Sequence, residues 1–126
     1  MAITTTAVAV SSPLSAKAAY NVWAVCATSA DARSTEEIKA AVTGKAHYLE
    51  LLSITSATAG TVTIGSGEAA GAVEAVLLGP IPFAATSGEV LLDMHDSPIQ
   101  LTAAKSLTVN ASALGDVCVF AKGFTL

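Results

Sequence analysis

AHYLELLSITSATAGTVTIGSG, residues 46–67, contains two strand-like runs joined by a small-residue turn, and its reading decides the fold. In the first run Tyr48, Leu52 and Ile54 fall on one alternating face together with Glu50. In the second, Val62 and Ile64 alternate with Thr61, Thr63 and Gly65. Alternation with a period of two belongs to a half-buried strand, because successive side chains of an extended backbone point to opposite faces. The joining SATAG supplies turn residues. This stretch is predicted to be the first hairpin of an all-β domain.

Downstream, AVEAVLL (residues 72–78) reads as the next strand. The GPIPF after it is confined to an extended edge or a crossover, because Pro80 and Pro82 remove ladder donors. GEVLLDM, from Gly88, alternates Val90, Leu92 and Met94 with Glu89, Leu91 and Asp93. A turn follows at His95 to Pro98, then a short strand with Ile99 and Leu101, and another in KSLTVNA with Leu107 and Val109 facing inward. SALGD is a hairpin loop. In residues 117–124, Val117, Val119 and Ala121 oppose Cys118, Phe120 and Lys122, so this strand is apolar on both faces and is expected to be central or covered by a partner.

Upstream, AAYNVWAVCAT (residues 18–28) places Tyr20, Val22, Ala24 and Cys26 on one face and Trp23 and Val25 on the other. Trp23 suits core packing and a subunit interface equally, since tryptophan is enriched in both. Residues 36–43 allow two readings. Ser34 with Glu37 forms a capping-box pattern, Ile38 with Val42 a helical pair, and Gly44 a terminator, whereas a strand would align Glu36, Ile38, Ala40 and Val42. Residues 1–15, rich in Thr, Ala, Val and Ser, carry too little apolar bulk for a core. They are expected to form an extended N-terminal arm lying along another subunit or surface, with a first strand of the sandwich as the alternative. The domain proper is then residues 16–126, and eight or nine short strands at this spacing predict an antiparallel β-sandwich of jelly-roll type.

The composition limits function. Hydrophobic residues make up 52% of the chain, yet only 5% is aromatic and 13% charged, and the mean hydropathy is +0.62. So few charges leave too little polar area to coat a monomer, and part of the surface is expected to be buried against other subunits. Trp23, Val119, Phe120 and Phe124 are the candidate interface residues. A net charge of −4 with six basic residues argues against nucleic-acid binding. The longest apolar run, residues 75–85, is broken by Gly79, Pro80 and Pro82, so no bilayer span is expected. The start lacks a basic n-region, so no secretory signal is expected either.

Catalytic signals are weak. Asp93, His95 and Asp96 could ligate a divalent ion, but a solvated turn explains them better without a remote ligand pattern. His47 has no accompanying nucleophile or carboxylate motif. GTVTIGSGEAAG lacks the GK[ST] ending of a phosphate loop. Cys26 and Cys118 read as free cysteines in apolar strand contexts, with a disulfide as the less favoured reading. No enzyme activity, metal or cofactor is expected.

Taken together, IKAAVTGKAHYLELLSITSATAGTVTIGSG, GEVLLDM, the Pro98-Ile99 turn and KSLTVNASALGDVCVFAKGF resemble, in that order, the small jelly-roll virion proteins of tailed bacteriophages. Gly44, Lys45 and Tyr48, the Thr-rich hairpin to Ile64, the Leu107 strand and Gly123-Phe124 carry the likeness, which covers residues 36–126. Phe124 stands where tyrosine is usual, Met94 where an aromatic residue is usual, and DMHDSPI is longer than the usual turn. The resemblance implies that residues 36–43 are a strand. It further implies a capsid cement or decoration protein that binds the major capsid protein on the outer surface of the virion as a homotrimer, assembled in the host cytoplasm. A carbohydrate- or receptor-binding module of a phage tail or bacterial adhesin is the alternative, although glycan platforms need exposed aromatic residues and this chain has few.

Overall fold

The computed structural model describes residues 3–8, 21–67, 73–84 and 88–126. Among them are ten strands: β1 Thr4–Val8, β2 Asn21–Ser29, β3 Glu36–Lys39, β4 His47–Ser56, β5 Gly60–Gly67, β6 Val73–Phe83, β7 Gly88–Asp93, β8 Ile99–Gln100, β9 Ser106–Ala111 and β10 Val117–Thr125. They form two antiparallel sheets. The larger runs β1-β2-β10-β4-β7, with β8 also on β4, and the smaller runs β3-β9-β5-β6. The chain is all-β, and the sheets pack as a sandwich.

The winding follows from four nested pairs. β5 pairs with β6 and β4 with β7, while β3 pairs with β9 and β2 with β10. A long hairpin rolled so that alternate pairs fall in opposite sheets has this order, which is that of a jelly roll. The core lies between the sheets, with Leu49, Leu52, Ile54 and Val119 from the larger one facing Ile64, Leu107 and Val109 from the smaller. Val90, Leu92 and Met94 pack against it, as their alternation predicts.

Residues 36–39 are a strand, and the neighbouring chain shows why the local helical signals lose. Ser106 Oγ on β9 donates to Glu37 Oε2 (2.7 Å), so the carboxylate expected to cap a helix is held by another strand. Ile38 is buried, whereas Val42, its expected helical partner, is exposed. Gly44, at φ +75°, closes a turn in which Lys45 N–H donates to the Val42 carbonyl.

β6 continues through Pro80 and Pro82 to Phe83 rather than ending at Gly79. Among the described residues it pairs only with β5, and an edge strand tolerates the missing donors. Thr4–Val8, within the expected arm, pairs along β2 as the outermost strand of the larger sheet. This is the first-strand alternative for that segment. Residues 1–2 and 9–20 lie outside the described residues, and with them the rest of the arm, its boundary at residue 15 and Tyr20.

Candidate functional site

β10 divides the candidate residues between two faces. Val117, Val119, Ala121, Gly123 and Thr125 are buried toward the core, while Cys118, Phe120, Lys122 and Phe124 stand half-buried on the outer face of the larger sheet. Val119 is 1% exposed and Trp23 is also part of the core, so neither is available to a partner. Phe120 and Phe124 are on the open face. The phase of β2 explains Trp23, whose alternation with Val25 and Ala27 points all three inward.

The outer face is built in rows across the strands. Phe120 lies between Cys26 on β2 and Ser53 on β4, and Ser53 is opposite Leu91 on β7, which is 61% exposed. One pleat on, Lys122 lies between Ala24 and Leu51, and Leu51 is opposite Asp93. At the end, Phe124 lies between Val22 and Tyr48. The Tyr48 and Phe124 rings stack at 4.9 Å with planes 7° apart, so each ring covers a face of the other.

A bulge fixes which side chains share this face. Leu51 pairs with Lys122 but Leu49 with Gly123, leaving Glu50 as an extra residue in β4. Leu49 and Leu52 are therefore both fully buried, and Tyr48 is thrown onto the face opposite Leu52 and Ile54. The expected single face of Tyr48, Glu50, Leu52 and Ile54 is corrected accordingly. Glu50, 3% exposed, lines a small cleft with Leu51, Asp93, His95 and Lys122. His95 Nδ1 lies 3.9 Å from Glu50 Oε2.

Asp93 Oδ1 accepts from the His95 backbone N–H (3.0 Å), which makes Asp93, His95 and Asp96 part of a solvated turn. Among the described residues no group of three or more His, Cys, Asp and Glu side chains is placed to hold a metal ion. Cys26 and Cys118 are free thiols. No helix among the described residues is long and apolar enough to cross a membrane.

Under the end of this face lies a buried polar chain. Trp23 Nε1–H donates to Thr125 Oγ1 (3.1 Å), and the Thr125 hydroxyl lies 2.7 Å from His47 Nδ1. His47 Nε2 is 2.7 Å from the Ala40 carbonyl, which can only accept. The proton therefore sits on Nε2 and Nδ1 accepts from Thr125. The Trp23 ring meets the imidazole edge-on at 5.7 Å, and the Lys39 ammonium lies 5.6 Å from the indole centroid. With both nitrogens engaged and the residue 1% exposed, His47 is a structural group rather than a base open to substrate.

Burial holds the His47 imidazole below its ordinary value of 6.5, with the Ala40 hydrogen bond acting against this and the Lys39 charge adding to it. The unfolded chain thus takes up the proton near pH 6.5 while the folded chain stays neutral to lower pH. The stability from this group is complete above that value and declines as pH falls below it. Melting temperatures at pH 7.5 and 5 are expected to differ more in the wild type than in His47→Gln, whose amide keeps a donor and an acceptor but does not titrate. Equal differences would show that His47 does not govern this range.

No protein-family model matches the chain, and no curated protein matches it.

Proposed function

We propose that this chain is a non-enzymatic structural protein of a tailed-bacteriophage virion. On this reading it binds the major capsid protein on the outer surface of the capsid as a homotrimer and reinforces contacts between capsomers. The order of segments along residues 36–126 and the jelly-roll winding support it. The observation that carries it is the outer face of the larger sheet. There Phe120 lies between Cys26 and Ser53, with Leu91 beyond Ser53, while Leu51 lies between Lys122 and Asp93 beside the cleft that Glu50 and His95 also line. The apolar part of such a face gains free energy by burial against a protein surface, at about 25 cal/mol per Å² of apolar area.

Light scattering after size exclusion is expected to show a trimer at micromolar concentration, and the purified protein is expected to bind capsids lacking it. Phe120→Asp combined with Leu91→Asp should abolish capsid binding with little change in melting temperature, because both side chains point away from the core. A monomer that also fails to bind such capsids would overturn the proposal. Unimpaired binding by the double variant would remove this face from it.

A further inference from the structure

Two cysteines far apart in sequence meet on the face just described. Phe120 is opposite Cys26 and Cys118 is opposite Thr28, so Cys26 and Cys118 are diagonal neighbours on one side of the β2–β10 pair. Diagonal side chains in an antiparallel pair lie within reach of one another. Thr55 on β4 is opposite Cys118 on its other side. Both residues are half-buried. Cys118 lines an open cleft of about 490 Å³ with Thr4, Thr28, Thr55 and Asp116, wide enough to admit a small molecule.

We propose that Cys26 and Cys118 form a reversible oxidation site, closing to an intramolecular disulfide by exchange with a small disulfide such as oxidised glutathione. One cysteine thiolate attacks a sulfur of the small disulfide, forming a mixed disulfide and expelling one small thiolate. The second cysteine thiolate attacks the protein sulfur of that mixed disulfide and expels the other. The protein loses two S–H bonds and gains one S–S bond. The small disulfide is reduced to two thiols, which take up the two protons.

The diagonal placement gives the bond its character. Diagonal Cα atoms in a sheet are about 7–8 Å apart, beyond the roughly 4.4–6.8 Å that disulfides favour, so closure requires β2 and β10 to slide against each other. A bond made under such strain is reopened readily by a reductant, as suits a switch rather than a permanent staple. Burial, then the neighbouring Cys26, push the Cys118 thiol up, which lowers its thiolate fraction and makes the exchange at this residue slow at neutral pH. This inference does not depend on the assembly proposed above.

Incubation of the folded protein with oxidised glutathione, followed by intact mass measurement, tests it. The wild type is expected to lose the mass of two hydrogens, to retain no glutathione, and to regain the mass on addition of dithiothreitol. Peptide mapping should place the bond between residues 26 and 118. Cys26→Ser and Cys118→Ser, each lacking the second thiol, should instead hold one glutathione. A wild type that keeps glutathione on both cysteines, cross-links between chains, or stays unmodified while its unfolded form reacts would overturn the proposal.

Discussion

Val119→Asp is expected to leave no stably folded protein. Val119 sits in the middle of β10, 1% exposed, with β2 on one side and β4 on the other and the core in front of it. An aspartate there has no partner, and burying an unpaired carboxylate costs several kcal/mol, comparable with a domain's whole margin of about 5–15 kcal/mol. Circular dichroism should show loss of the cooperative melt. Phe120→Asp, one residue on and facing outward, is the control. It should melt within a few degrees of the wild type, and equal damage from both would show that the two faces of β10 have been assigned wrongly.

The second large effect comes from adding one carbon. A Cβ on Gly123 would collide with the Tyr48 carbonyl oxygen and stand 2.8 Å from Cζ2 of Trp23, whose ring lies across that glycine. The carbonyl belongs to the backbone of a paired strand, so Gly123→Ala must push the β4 and β10 backbones apart there as well as displace the tryptophan and loosen its bond to Thr125. Overpacking of about 1–3 kcal/mol plus a lost hydrogen bond of about 1 kcal/mol gives a loss of roughly 2–4 kcal/mol, or a melting temperature lower by about 8–15 °C. Trp23→Leu made in the same chain should cost less than it does alone, since it removes the collision with the indole although the one with the Tyr48 carbonyl remains. Strict additivity in thermal melts would show that the clash lies elsewhere.

The β class and most strand positions are legible in the residues because alternation survives in strands with one buried face, as in Val90, Leu92 and Met94. It misleads where the pleat is interrupted. Tyr48 and Leu52 are four apart and read as one face, yet the extra residue Glu50 reverses the phase between them. No local signal marks that bulge, which falls where Gly123 on the neighbouring strand lies close against the Tyr48 backbone. Residues 36–39 mislead for another reason, since the contacts that decide them come from Ser106, far along the chain. The candidate face was half legible. The two-sided pattern of β10 identifies Phe120 and Phe124, but alternation alone cannot tell which side of the strand holding Trp23 faces the core.

The position of β10 also bears on how the chain reaches its folded state. β10 lies between β2 and β4, so until residues 117–125 are in place the larger sheet is two separated pieces, each with an open edge of unpaired amides and carbonyls. Closure then joins segments about a hundred residues apart, and topologies dominated by such distant contacts fold slowly, over milliseconds to seconds. During that interval the exposed edges of β2 and β4 are open to pairing with other chains. The same last strand that completes the core thus sets the time for which a newly made chain is vulnerable to aggregation.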